Sequence, residues 1–536
     1  MQWTMPKHSF QSPKGQQTAL IIGATGYIAN HLIPALLIQG IHVIAAARQL
    51  SVLEKRCWAK DDNVTLMRLD LSLPIEASQQ TLFNQADICY FLVHGMAHGH
   101  DFIDYEQKMA GSALMAFNHA ATHGKLSHII YLGALQPTDN ASAHLAARAQ
   151  TGEILRKGLL PVIEVRAGII IGAGSAAFEV MCDLVHHFPV LLTPKWISSV
   201  SPPIALENLL FYLIAIGQDN FSQNAIYDVS GPESMTYRQQ IERLCQLFCK
   251  PARVYSMPFI PLRFSLWWLR LVTSVPYNIA RALAAGLTHD LYANSRAIEH
   301  RYPQKLIDFD SAVHHALAKQ DAFVRSDVWG FDPDALDRWQ SGFGYYPKKA
   351  GAAIDTALPP QALWQILRTF GRKQDYFYAN WLWRIRSWLD RLAGASSELP
   401  SPQANEGKQA LKIGEYIETW KVIGLEPKRY LSLLFGMKGP GLGRLDFTIT
   451  PIAHQRYRLE VTAWWHPKGI YGLLYWYAMF PAHLFIFKGL VRKICKKAKR
   501  LMCRTRKQSP TVQNTASPIA PHQQPDSPLA KEKKKP

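Results

Sequence analysis

Between Thr18 and His31 the chain reads TALIIGATGYIANH, and this stretch restricts the fold more than any other. Four apolar residues, Ala19 to Ile22, lead into Gly23-Ala24-Thr25-Gly26-Tyr27-Ile28-Ala29, after which apolar positions recur at helical spacing from Ile28 to Leu37. The pattern predicts strand, glycine turn and helix. Gly23 permits a turn that a side chain would obstruct, Gly26 lets the backbone approach a ligand, and Ala29 lets the helix lie against the strand. The N–H groups that open such a helix have no intrahelical acceptor and favour an anion. The pyrophosphate of a dinucleotide suits the turn, which makes Gly23, Ala24, Thr25, Gly26, Tyr27 and Ile28 candidate cofactor-binding residues.

A glycine turn alone is weak, and the following residues supply its context. Ile41 to Ala47 is a second apolar run and ends in Arg48, at the place where binders of NAD usually carry an acid for the ribose hydroxyls. A cation there suits a 2'-phosphate, which favours NADP(H), with NAD as the alternative. Asn63 to Leu69 predicts a third strand, closed by Asp70-Leu71. Ile88 to Val93 predicts a fourth, with Leu92 and Val93 at its cofactor end. Ile129 to Leu132 predicts a fifth, Pro161 to Ile171 a sixth and Ile226 to Val229 a later one. Strands alternating with helical patterns predict an α/β, Rossmann-type doubly wound parallel sheet.

The glycine turn, the basic residue closing strand two and Asp-Leu closing strand three together resemble the short-chain dehydrogenase/reductase superfamily, in its atypical or extended branch because the turn reads Gly-x-x-Gly-x-x-Ala. Nearer still is a group of bacterial NAD(P)H-binding proteins related to the nitrogen-metabolite-repression regulator and to the nucleotide-binding accessory subunit of respiratory complex I. That resemblance rests on Tyr90 to Met96, Ile130 to Gly133, Glu164 to Ala167 with Ile169 to Gly174, and Pro202 to Ala205, and covers Gln16 to Phe323. It implies a cofactor role for Arg166 and a substrate lobe after the sixth strand. Tyr237 to Phe248 is amphipathic, and Phe259 to Ala285, with Trp267 and Trp268, is apolar and aromatic, which suggests a greasy ligand or a lobe core.

At 536 residues the chain exceeds what one core usually fills. The expected division is a leader over 1–16, a dinucleotide domain with its lobe over 17–325, a linker over 326–350, a second domain over 351–497 and a basic disordered tail over 498–536. Seven cysteines without paired spacing point to a reducing compartment. Fourteen Lys and Arg stand from Lys488 onward against Asp526 and Glu532, so the end of the chain carries +12 of the net +19. No nucleic-acid recognition motif accompanies this charge, and the apolar stretch before it points instead to an anionic membrane surface.

In the second domain, Pro360 to Phe370 and Tyr376 to Leu392 are helix candidates. Four strand-like runs follow, Tyr416 to Val422, Tyr430 to Phe435, Gly443 to Pro451 and Arg456 to Trp465, and a long apolar segment comes last. This α+β order resembles the helix-grip fold of START-like proteins from Gly351 to Lys497, with local motifs Leu382 to Arg386 and Tyr475 to Tyr477. The resemblance implies that the last helix closes a cavity able to hold a hydrophobic small molecule or lipid. Ile470 to Val491 is apolar apart from Lys488 and is read either as a buried or interfacial helix or as a single transmembrane helix, and in either case the basic cluster after it is expected to hold a cytoplasmic protein at the inner face of the membrane.

The superfamily commonly uses a Tyr-x-x-x-Lys pair and a Ser for proton transfer. Here His144 stands at the tyrosine position, Arg148 at the lysine position and Gly133 near the serine. Either His144 supplies the proton while Arg148 holds the ribose, or the site retains only the dinucleotide. His94, His98 and His100 are interleaved with glycines that suit a close-approach loop better than a metal site. Two functions stay open at this stage: hydride transfer from NADPH to a hydrophobic carbonyl or quinone, and a non-catalytic nucleotide-binding module that stabilises or senses a membrane-associated protein complex.

Overall fold

The computed structural model describes residues 17–95, 102–139, 141–188, 190–193, 195–250, 253–257, 269, 271–327, 342–370, 377–381, 411–417, 420–435, 439–452 and 456–508. The expected leader, His98 and His100, Trp267 and Trp268, the Leu382 to Arg386 motif and the chain beyond Gln508 lie outside these residues.

The first half of the N-terminal domain alternates strand and helix as its hydrophobic periodicity requires. It runs β1 (Thr18–Ile22), α1 (Tyr27–Ile38), β2 (His42–Ala47), α2 (Leu50–Leu53), β3 (Val64–Arg68), α3 (Ala77–Gln85), β4 (Ile88–Phe91), α4 (Phe102–His123), β5 (His128–Ala134), α5 (Ala143–Leu155) and β6 (Val162–Ala167). The lobe and the rest of the sheet follow as β7 (Ile170–Ile171), α6 (Ala176–His187), β8 (Val190–Thr193), β9 (Ile204–Ala205), α7 (Leu206–Gly217), β10 (Ala225–Val229), α8 (Tyr237–Leu247), β11 (Arg253–Ser256), α9 (Tyr277–Gly286), α10 (Arg296–Arg301) and α11 (Phe309–Asp327). Seven strands form one parallel sheet in the order β10-β6-β5-β4-β1-β2-β3. The central strands β1, β2, β4 and β5 are buried on both faces, as continuous apolar runs predict for a sheet with helices on either side. The run expected as one sixth strand, Pro161 to Ile171, is divided into β6 and β7, and β7 leaves the main sheet to pair with β9.

Strand order reverses between β1 and β4, and in such sheets the crevice beyond the strand ends at the reversal is where ligands bind. The glycine turn after β1 and the chain after β4 meet there.

The second domain begins earlier than its sequence suggested. Lys348–Thr356 is a strand, β12, partly inside the segment expected as linker, so the domain does not open on helices. Its Ala and Gly content gives little β-propensity, but a Cβ on Gly351 would collide with the Val461 carbonyl, so close docking on the neighbouring strand requires that residue. After β12 come α12 (Pro360–Leu367), β13 (Tyr416–Ile417), β14 (Trp420–Glu426), β15 (Tyr430–Phe435), β16 (Gly441–Ile452), β17 (Arg456–Pro467) and α13 (Gly469–Gln508). The sheet is antiparallel in the order β12-β17-β16-β15-β14-β13.

Helix α13 lies across this sheet. Leu473, Trp476, Ile486, Phe487, Leu490, Val491, Ile494 and Ala498 are buried, and from Ile486 onward they share a core with Leu363, Phe370, Phe447 and Val461. One side of residues 470–491 thus forms a wall of this core, while Tyr471, Leu474, Phe480, Leu484 and Phe485 are exposed; by length and composition alone the helix is also sufficient to cross a membrane. The helix also runs on through the basic cluster to Gln508, so residues 498–508 are helical where a disordered tail was expected.

Candidate functional site

Two neighbouring hollows occupy the crevice at the strand reversal. The first, of about 210 Å³, lies over the ends of β1, β2 and β3 and is lined by Gly23, Thr25, Gly26, Arg48, Asp70, Leu71, Leu92, Val93 and Tyr105. The second, of about 390 Å³, shares Gly26, Leu92 and His94 with it and extends past Gly133, His144 and Arg148 to an apolar wall of Ile279, Leu283, Leu287 and Leu291.

The glycine turn is built as its residues imply. Gly23 has a φ of +93°, and a Cβ on it would stand 3.1 Å from the Leu92 carbonyl carbon. The Gly23 and Ala24 N–H groups donate to the Ala46 carbonyl at 3.1 and 3.0 Å, tying the turn to β2. Helix α1 starts at Gly26 with no side-chain cap and no acid in its first turn, so its positive end faces the crevice. A cradle that a side chain would fill, beneath an uncapped helix start, fits a pyrophosphate. Ala24 is fully buried under the turn and lines neither hollow, so its part is to support the turn.

At the far end of the first hollow, Arg48 is exposed at the mouth and its Nη1 donates to the Tyr105 hydroxyl at 3.0 Å. Burial pulls the Asp70 carboxyl upward, but hydrogen bonds from the side chain and backbone of Ser72 and the charges of Arg48 and Arg68 outweigh it, and its pKa ends below the ordinary value. The mouth therefore combines a fixed anion and a cation that can face a ribose and its substituents.

His144 and Arg148 stand one turn apart on α5, and both line the larger hollow. The Arg148 guanidinium lies 5.2 Å from the centre of the Tyr131 ring, with Nη1 donating to Val93 O at 3.2 Å and Nη2 donating to Leu132 O. It thus ties together the ends of β4 and β5. Burial, reinforced by Arg148 and His94, pushes the His144 imidazole down to about 3, so the ring is neutral at physiological pH. His94 is exposed to the cavity space, yet the surrounding protein strips its hydration and, with Arg148, holds it down to about 4. The proton-donor role expected of His144 would therefore fall to the N–H of a neutral imidazole, a weaker acid than an imidazolium.

Arg166 is not in the crevice. Its Nε donates to Glu164 Oε1 at 2.7 Å, and Arg156 pairs with the other oxygen of the same carboxylate, whose side chain is fully buried. On β6, Glu164 and Arg166 point to one face while Val165 and Ala167 point to the other, and Ala167 is the one lining the hollow. The cofactor role expected of Arg166 is thereby corrected to an ion-pair cluster under α5.

Sequence reasoning missed Ser175, Ser201, Tyr237 and Tyr346, all of which line the larger hollow. Tyr346 comes from the chain that enters β12, and its hydroxyl donates to the Gly174 carbonyl at 2.7 Å. The Gly174 N–H in turn donates to Glu179 Oε1 at 2.7 Å, and burial lifts that carboxyl to about 8. These residues are far apart in sequence and carry no local motif. By contrast, among the described residues of the second domain a space of about 40 Å³ lies between sheet and helix, lined by Phe435, Leu445, Trp465, Trp476, Met479 and Phe487.

Comparison with known proteins gives two family matches. Residues 15–151 match the NmrA-like family, and residues 349–490 match a family described as protein of unknown function (DUF2867). No curated protein matches the chain. Among solved structures, the Bordetella bronchiseptica enzyme WbmG in complex with NAD and UDP is 11% identical, with 59% of this chain and 98% of that one covered at a TM-score of 0.44. UDP-glucose 4-epimerase from Thermotoga maritima is 10% identical, with coverage of 57% and 100% and a TM-score of 0.44. UDP-glucuronic acid 4-epimerase from Bacillus cereus is 13% identical, with coverage of 57% and 100% and a TM-score of 0.43.

Proposed function

We propose that the N-terminal domain binds NADP(H) and reduces a hydrophobic acceptor in the larger hollow. The observation that carries this reading is that the hollow at the uncapped start of α1 shares Gly26, Leu92 and His94 with the hollow that reaches the apolar wall of α9. The residues that would hold the dinucleotide are the Gly23 to Ile28 turn, Arg48, Asp70, Leu92 and Val93, with Arg48 facing the 2'-phosphate. When bound, the cofactor supplies a hydride.

Arg148 braces the floor on which the nicotinamide half would rest, and His144 is a neutral hydrogen-bonding group rather than an acid. Without a strong donor at the hydride acceptor, an acceptor whose reduced form is a weakly basic anion is favoured, because it needs the least help from a general acid. A quinone meets that requirement better than an isolated carbonyl.

The missing Ser and Tyr-x-x-x-Lys, together with the depressed His144, favour a second reading: a nucleotide-binding module without turnover, acting in a protein complex. Fluorescence titration with NADPH, NADP, NADH and NAD, followed by NADPH consumption with a panel of quinones and aldehydes, separates the two. Saturable binding with turnover on quinones supports the reductase. Saturable binding with no turnover on any acceptor supports the module, and no binding to any of the four overturns both.

For the C-terminal domain we propose a START-like arrangement, supported by the long helix laid across a curved antiparallel sheet. The small space between sheet and helix among the described residues lends no support to the ligand-carrier role that the resemblance implied.

A further inference from the structure

We infer that helix α13 docks the protein on the surface of a bilayer rich in anionic lipid, lying along it without crossing. The inference does not depend on the dinucleotide reading. One face of α13 is committed to the core, but the opposite face is bare, and its character changes along the helix. Tyr471, Leu474, Ala478 and Phe485 follow at steps of three, four and seven residues and form one exposed apolar stripe, with Tyr471 74%, Leu474 58% and Phe485 44% exposed. The same stripe continues as Lys488, Arg492, Lys496 and Lys499, all exposed.

From Gly469 to Gln508 the helix contains no Asp or Glu, so nothing along it offsets these cations. At 1.5 Å per residue, the apolar part of the stripe is about 20 Å long and the basic part from Lys488 to Lys499 about 17 Å. Exposed aromatic and leucine side chains side by side with cations match the boundary of a bilayer, where acyl chains meet charged headgroups. Nucleic acid would leave the apolar half uncovered, and a second copy of the stripe would bring like charges together. The helix also touches the lobe, since the Tyr477 hydroxyl donates to Leu271 O at 3.0 Å, so docking sets the lobe beside the lipid.

The test is cosedimentation of the full chain with phosphatidylcholine vesicles, with and without phosphatidylglycerol, at low and high salt. Strong binding to the anionic vesicles that weakens about tenfold or more without phosphatidylglycerol, or in salt, is expected. The triple variant Lys488→Glu, Arg492→Glu, Lys496→Glu should lose that binding, and Leu474→Ser with Phe485→Ser should weaken it while leaving the salt dependence in place. Unchanged circular dichroism and thermal unfolding of both variants show that the fold is intact. Absence of binding to anionic vesicles overturns the proposal. So does a dimer in solution that Leu474→Ser with Phe485→Ser converts to a monomer without any effect on vesicle binding.

Discussion

Both domains cover a sheet with helices, yet one encloses about 390 Å³ beside its sheet and the other about 40 Å³. The difference lies in the side chains at the equivalent inner surface. In the first domain the strand ends and the turns after them carry Gly26, Gly133, Ala134, Ala167 and Gly168, which leave volume unfilled. In the second, Phe435, Leu445, Trp465, Trp476 and Phe487 close the space between sheet and helix. A fold class that suggests a ligand cavity therefore does not guarantee one. Among the described residues the second domain is close-packed between sheet and helix, and the open crevice lies in the first.

The contrast can be broken most directly in the filled domain. Phe447 is fully buried at the centre of that core, and Phe447→Ala should cost about 3–5 kcal/mol in urea unfolding. Leu283→Ala, on the wall of the open hollow, should cost less than half as much, because part of that side chain already faces empty space. Equal losses would show that the hollow is not open in solution. Next in size, Gly23→Val forces a β-branched residue into a positive φ against the Leu92 backbone, and should abolish dinucleotide binding in a fluorescence titration while lowering stability by about 1–3 kcal/mol. Arg48→Asp should change the preference between NADPH and NADH by roughly tenfold or more towards NADH, measured as the ratio of the two dissociation constants. An unchanged ratio would remove Arg48 from the 2'-phosphate.

The remaining expected effect is on pH dependence. The unfolded chain releases the Glu179 proton near the ordinary value of 4.5, whereas the folded protein holds it to about 8. Between those values the folded state binds a proton that the unfolded state does not, so this residue's share of the stability falls as pH rises through the window, by at most roughly 1.4 kcal/mol per unit. Glu179→Gln should flatten that slope in denaturant titrations from pH 5 to 8, and a slope identical to the parent would rule out the buried protonated carboxyl.

How much of this was legible in the sequence follows from how local each signal is. The β1 turn and α1 were readable because every residue from Ala19 to Ala29 acts on its immediate neighbours. Arg48 and Asp70 were readable because strand ends locate them. Arg166 misled, although a cue was present: Glu164 two residues earlier on a strand faces the same side and offers it a partner. The strand β12 was missed because its alanines and glycine are chosen for close approach to β17 and not for β-propensity. Ser175, Tyr237 and Tyr346 could not be read at all, since only the tertiary fold brings them to one wall.

Tyr346 has a consequence for how the domains share energy. Its hydroxyl bonds to Gly174 while its ring lines the hollow, and the chain that carries it continues directly into the edge strand of the second sheet. A ligand that favours this placement of the ring must, by thermodynamic reciprocity, also favour the seating of the second domain on the first, and whatever loosens the seat weakens the ligand equally.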